Sequence, residues 1–167
     1  MVMVDRDTGS YWWQVAGSAI VGERTGQSLE TVPSQMARFE DWIAEHPETL
    51  VLERPSADRD YSRDRFEGYA SRVDQGNVPF PVSEEALADG RLPAGATVVA
   101  VQIDDAVVAW PVNPATDIEV TVGDQELQVI TDGTGGRVVD LASGEDLPSR
   151  TSLWFAMVSS FPEVELG

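Results

Sequence analysis

The chain has no cysteine, no lysine and a single histidine. Without cysteine there are no disulfides, no thiolate nucleophiles and no cysteine-ligated zinc or iron–sulfur centres. One histidine removes most of the remaining transition-metal and nucleophile–base arrangements. Long apolar runs are missing too: the longest, Ala106 to Pro111, falls far short of the ~20 residues a bilayer-crossing helix requires. The opening Met1-Val2-Met3-Val4-Asp5-Arg6 shows no basic segment followed by an apolar core, so no leader or membrane anchor is expected and the location implied is cytoplasmic.

What is present is acid. There are 29 Asp plus Glu against 11 basic residues, all Arg, for a net charge of −18. An exposed lysine stem adds apolar surface, whereas short carboxylates hold water and ions. A lysine-free, Asp-rich coat therefore suits molar salt, where a Debye length of roughly 3 Å screens the self-repulsion. The composition predicts a halophile's protein. The same charge argues against nucleic acid as a partner, because a duplex is densely negative. The one Arg-rich stretch, Arg54, Arg59, Arg63, Arg65 and Arg72, is neutralised by Glu53, Asp58, Asp60, Asp64 and Glu67. With 167 residues and 42% hydrophobic content, five Trp and five Phe among it, the chain is long and apolar enough to fold as one domain.

Residues 1–32 read as short extended pieces with turns. Ser34 is a plausible N-cap, and Met36, Phe39, Trp42 and Ile43 recur at helical spacing, which predicts a helix over about 34–45 stopped by Pro47. Leu50-Val51-Leu52 reads as a strand, residues 53–80 as a long polar loop, and Ser83 to Ala88 as a short capped helix. From Thr97 the pattern is β: Thr97 to Ile103, Ala106 to Trp110, Ile118 to Val122, Leu127 to Thr131 and Arg137 to Leu141, joined by tight turns. Ser149 to Ser159 reads as a closing helix. The fold class expected is α+β, an antiparallel β meander with two or three short helices packed on it. It forms a single domain over 1–167, divided into a first partial repeat (1–52), a long loop with a short helix (53–95) and the meander with a C-terminal helix (96–167).

The repeat shows as an echo. Gly26-Gln27-Ser28-Leu29, a helix with Phe39 and Trp42, and Pro47-Glu48 are answered by Gly144-Glu145-Asp146-Leu147, a helix with Trp154, and Pro162-Glu163. The first copy is expected to lack the strand meander that precedes the second, as though it began upstream of Met1.

Several stretches together resemble a family, bacterial and haloarchaeal, known as domain of unknown function 3179. They are Val4-Asp5-Arg6-Asp7-Thr8-Gly9-Ser10-Tyr11-Trp12-Trp13-Gln14, Gly26 to Leu29, Trp42 to Leu52 with its His-Pro-Glu-Thr, Arg59-Asp60-Tyr61, Leu153-Trp154-Phe155-Ala156 and Phe161-Pro162-Glu163. The resemblance spans nearly the whole chain. It implies no established activity. It also implies an additional N-terminal portion with a Cys-Pro-Leu segment, which nothing here matches, so a remnant or a subunit completed by a partner half is one expectation.

Asp5, Arg6, Ser10, Trp12 and Gln14, with Asp7, Thr8 and Trp13, form the densest group able to meet a polar ligand, offering carboxylates, a guanidinium fork and aromatic platforms. The same residues also suit a plain turn with a Trp pair alternating between core and surface. Arg59, Asp60 and Tyr61 offer a second, anion-clamping group, or solvated ion pairs. His46 before Pro47 suits a helix C-terminus better than a general base. Gly133 to Gly136 reads as a hairpin turn, because no Lys-Ser or Lys-Thr follows as in a phosphate loop. Asp5-Arg6-Asp7 lacks the remaining spacing of a calcium loop. No cofactor and no metal is called. Partners expected are neither nucleic acid nor membrane, leaving a small molecule or a protein. A binding or structural domain is the first expectation, and a hydrolase using Asp5 and Asp7, with or without a divalent ion, is the alternative.

Unfolding followed at low and at multimolar KCl tests the salt adaptation. The protein is expected to gain stability with salt, and equal stability in both solutions overturns the idea.

Overall fold

The computed structural model describes residues 1–53, 64, 66–78 and 81–167. Among these, the order is β1 (Val2–Val4), β2 (Tyr11–Trp13), β3 (Ser18–Val21), α1 (Phe39–Glu45), α2 (Tyr69–Asp74) and α3 (Glu84–Ala88). There follow β4 (Thr97–Ile103), β5 (Ala106–Pro111), β6 (Thr116–Val122), β7 (Gln125–Thr131), β8 (Gly136–Asp140), β9 (Ser149–Leu153), α4 (Trp154–Ser160) and β10 (Glu165–Leu166). The class is α+β as expected, with four helices rather than two or three.

The strands expected from Thr97 onward are all there, but they do not make one meander. β5 to β6 is a change of sheet: one sheet runs β10-β5-β4-β9, and a second runs β6-β7-β8. The cause is visible in the residues. Val98 to Val101 and Val107 to Trp110 are apolar at consecutive positions, so both faces of the β4–β5 pair demand cover. β6 instead alternates, with Asp117 and Glu119 turned outward, and presents one apolar face. Val99, Val101, Val108 and Trp110 pack against Val122, Leu127, Val129 and Val138 of the second sheet. On the opposite face Val98, Ala100, Val107 and Ala109 receive Trp154 and Met157 of α4. Each fully buried Val or Leu contributes roughly 1.5–3 kcal/mol, so these two layers hold the domain.

Four local expectations are corrected. The closing helix starts at Trp154, because Ser149 to Leu153 pair antiparallel with β4 as its outer strand. The first helix starts at Phe39 with Arg38 at its N-cap; Ser34 is instead held by its carbonyl, which accepts from Ser149 Oγ at 3.4 Å. Leu50-Val51-Leu52 forms no strand and stands in solvent, Leu50 at 95% exposure. The stretch given as loop holds α2, whose Val73 is buried against Ala94 and Phe155. α1 buries no residue, so it is not packed on the sheet. Ser83 caps α3 as expected, accepting from Ala86 N–H at 3.1 Å.

The echo is structural. Gly26 N–H donates to the Ala19 carbonyl at 3.0 Å as Gly144 does to Asp140 at 2.7 Å. Ala19 N–H donates to Gln27 at 2.9 Å as Asp140 does to Glu145 at 3.0 Å, and Leu29 to Gly17 as Leu147 does to Val138, both at 2.8 Å. The single bridge Ser18–Ser28 matches Val139–Asp146. Followed outward through the strand registers, Trp12 falls on Leu127, Met3 on Val120, Asp5 on Val122 and Gln14 on Val129. The first copy therefore has its own meander, β1-β2-β3, against expectation. What covers the second copy, the β4–β5 pair, has no counterpart over the first among the described residues.

A clasp closes the α4 side. Arg91 donates to Asp89 through Nε and Nη2, and through Nη1 to the Val164 carbonyl at 2.6 Å. Its guanidinium lies 4.9 Å from the Trp154 ring, whose Nε1 donates to Asp89 at 3.1 Å. The Arg91 hydrogen bonds, aided by the Trp154 indole, lower the Asp89 carboxyl from its ordinary 3.8 to about 2. A group depressed in the folded state stabilises fully above its unfolded pKa and loses that contribution as pH falls through the folded one. Asp89→Asn is thus expected to lose roughly 1–2 kcal/mol near neutral pH, after discounting for the half-open Arg91. The gap from the parent closes as pH falls from about 4 towards about 2. Urea unfolding across that range is the check, and a gap independent of pH overturns it.

Candidate functional site

The turn from Asp5 to Ser10 is built from its own side chains. The Asp5 carboxylate accepts from the Asp7 N–H at 2.9 Å and from the Thr8 hydroxyl at 2.6 Å, which ties the carboxylate into the turn. The Thr8 and Ser10 hydroxyls are 2.8 Å apart, and Ser10 Oγ accepts from the Arg24 N–H at 3.1 Å. Arg24 Nε stands 3.6 Å from Asp5. The Thr8 hydrogen bond and then the Asp7 N–H hold the Asp5 carboxyl below its ordinary value. Gly22, at φ 104°, lies directly over Ser10; a Cβ there would sit 2.7 Å from Ser10 Cα. Ser10 is consequently sealed, an anchor for the loop after β3.

The same strands present a face that is solvent-accessible where its counterpart is core. Met3, Trp12 and Leu29 occupy the positions of Val120, Leu127 and Leu147, which belong to or pack against the core between the sheets. Here they line an open hollow of about 540 Å³ with Asp5 and Arg24 at its rim. Trp12 is its floor, at 8% exposure, while Leu29 is 50% exposed. Gln14 and Gly17, at the positions of Val129 and Val138, line a second cleft of about 410 Å³ that shares Leu29 and Glu30 with the first.

The far wall of that second cleft is β9. Arg150 is half-buried there among Ser149, Thr151 and Ser152. Its Nη2 donates to Thr31 Oγ1 at 3.0 Å and its guanidinium lies 5.5 Å from the Phe161 ring. Among the described residues no carboxylate is within ion-pair reach of it, although Arg24, Arg38, Arg91 and Arg137 each have one. Burial pulls its pKa below the usual guanidinium value, yet a guanidinium stays charged. A half-buried guanidinium beside hydroxyls, without an acid, keeps N–H donors of the type that pair with anions.

Of the residues singled out in the sequence, Asp5, Ser10, Trp12 and Gln14 come together on one meander. Arg6 stands exposed at the tip of the turn, and Arg24, not Arg6, approaches Asp5. Arg59, Asp60 and Tyr61 lie outside the described residues. His46 is the C-cap of α1, its N–H donating to the Trp42 carbonyl and its ring 4.0 Å from that of Trp42. Gly133 to Gly136 join β7 to β8, the Asp132 carboxylate accepting from Thr134 and Gly135 N–H as a hairpin turn requires. Arg150 and Glu30 were missed. The sequence offers no cue, since Arg150 falls within the stretch whose pattern predicts a helix and only the tertiary arrangement leaves it without an acid.

Among the described residues no group of three or more His, Asp or Glu is placed to hold a metal ion, and no helix is long and apolar enough to cross a membrane. A family model described as "Protein of unknown function (DUF3179)" matches residues 1–160. The comparison with curated proteins returned no match, and neither did the comparison with solved structures.

The scaffold under this site is tested at Ser10. Ser10→Ala leaves the Arg24 N–H without its acceptor and is expected to lower stability by about 1–3 kcal/mol, read by urea unfolding. An unchanged midpoint overturns the anchoring role.

Proposed function

The chain belongs to the DUF3179 family, proteins of unknown function, and on that premise we propose that it is a ligand-binding domain whose cleft between the β1–β3 meander and β9 takes a small anionic group on Arg150. The carrying observation is the guanidinium itself. In a chain with 29 acids and 11 bases, the arginine enclosed in a cleft has no carboxylate within reach among the described residues. A cation so placed is partly desolvated, offset by one hydroxyl acceptor and the Phe161 ring, and an anion supplies the charge partner that these do not. Carboxylate and phosphate both match its fork. Gln14, Ser152 and Thr151, which line the same cleft, supply the hydrogen-bonding surround such a ligand needs.

Hydrolysis through Asp5 and Asp7 is supported less well. A general base needs a carboxylate free to accept a proton near the working pH. Asp5 is instead occupied by Thr8 and the Asp7 N–H, which keep it ionised. A cytoplasmic, salt-adapted setting is part of the same proposal, supported by the lysine-free acidic composition and the absence of cysteine.

Calorimetric titration with acetate and with inorganic phosphate, at constant KCl, tests the cleft. Binding to the parent chain is expected, weakened about tenfold to a hundredfold in Arg150→Gln, the range a charged hydrogen bond contributes. Equal binding by the parent and by Arg150→Gln overturns the proposal, and Arg150→Lys, which keeps the charge but not the fork, is expected to fall between.

A further inference from the structure

Glu30 lines both the Arg150 cleft and the Trp12 hollow. It makes no hydrogen bond or ion pair with any described residue, and Arg150, in the same cleft, is beyond ion-pair distance of it. Two opposite charges thus face one cavity without neutralising each other. Beside them lies an apolar floor, and the internal repeat says what kind of surface that floor is. In the second copy the equivalent positions, Leu127, Val120 and Leu147, are covered by Val99, Val101, Val108 and Trp110. In the first copy Met3 and Leu29 keep the apolar character of a core face but stand exposed at the hollow, while Trp12, still 8% exposed, contributes only a small part of its surface to it. Gln14 and Gly17, in place of Val129 and Val138, open the way from this floor to Arg150.

Resting on Arg150 as the ligand's cation, we infer that the ligand is a free α-amino acid with a large apolar side chain. Its carboxylate meets Arg150, its ammonium meets Glu30, and its side chain lies on Trp12 between Met3 and Leu29. The two charged groups of an α-amino acid are attached to one carbon, which gives a single small molecule one partner for each of the two opposite charges lining the cleft. A side chain of leucine or methionine size buried on Trp12 adds the apolar contact that acetate and phosphate lack.

The experiment is a comparison of L-leucine, N-acetyl-leucine and leucinamide by calorimetry at constant KCl, with acetate and phosphate alongside, on the parent chain, Glu30→Gln, Arg150→Gln and Trp12→Phe. Leucine is expected to bind at least tenfold tighter than either blocked derivative. In Glu30→Gln leucine falls to the level of N-acetyl-leucine, and in Arg150→Gln to the level of leucinamide. Leucine is also expected to change tryptophan emission in the parent and not in Trp12→Phe. If acetate or phosphate binds in an Arg150-dependent way but leucine binds no tighter, or if blocking the amine changes nothing, the amino-acid assignment is overturned while the anion cleft stands. If none of the five compounds binds, both fall. Far-ultraviolet circular dichroism of each variant confirms the fold before binding is compared, and Glu30, being exposed, gives a variant whose folding is not in question.

Discussion

The β4–β5 pair is the constraint from which the rest follows. Its apolar residues are consecutive rather than alternating, and they are buried at both faces. Such a pair cannot sit at a surface. One face is satisfied by β6–β8 and the other by α4, and β9 and β10 close its two edges. Edge strands left open invite pairing with other chains. Here β9 is rich in Ser, Thr and Arg, and β10 is two residues long.

The first copy of the repeat has no such pair over it, and its chemistry has shifted accordingly. Trp12 replaces Leu127 and is still buried, at 8% exposure. Gln14 and Asp5 stand where the second copy places Val129 and Val122. A face that is apolar core in one copy is therefore amphipathic in the other, and the proposed ligand site rests on that difference. The second copy contributes as well, because β9 carries Arg150 to the edge of the first.

Much of this is legible in the sequence. The strands from Thr97 to Leu141 announced themselves through Val-rich runs separated by Asp-Asp and Gly-Asp, and Asp104 and Gly123 do adopt the positive φ that such turns require. The echo of Gly26 to Leu29 in Gly144 to Leu147 was readable because both glycines hold left-handed backbone at the same point of the same hydrogen-bond frame. Boundaries decided by distant partners were not legible. Ser149 to Leu153 have helical neighbours, yet pairing with β4 makes them a strand. Ser34 resembles a cap, yet the segment from Thr31 to Ser34 is drawn to β9 by Arg150 and Ser149, so the helix begins later. The cluster from Asp5 to Gln14 was found because its residue types are dense in sequence. Arg150 was hidden because its importance lies in what is not beside it, a property of the folded chain alone.

The matched frames of the two meanders differ where they can afford to, in their loops: Arg6 to Gly9 stand where the second copy has only Gly123-Asp124, and Ile20 to Thr25 where it has Leu141 to Ser143. These two connections are longer in the first copy, which also carries a bulge between Tyr11 and Trp12, whereas its β2–β3 hairpin is shorter than that of β7–β8. The molecule thereby contains its own reference state. Side chains at the matched ladder positions of the open meander have siblings on the closed one, so a difference in how such a pair behaves belongs to the side chains, their cover and the loops beside them.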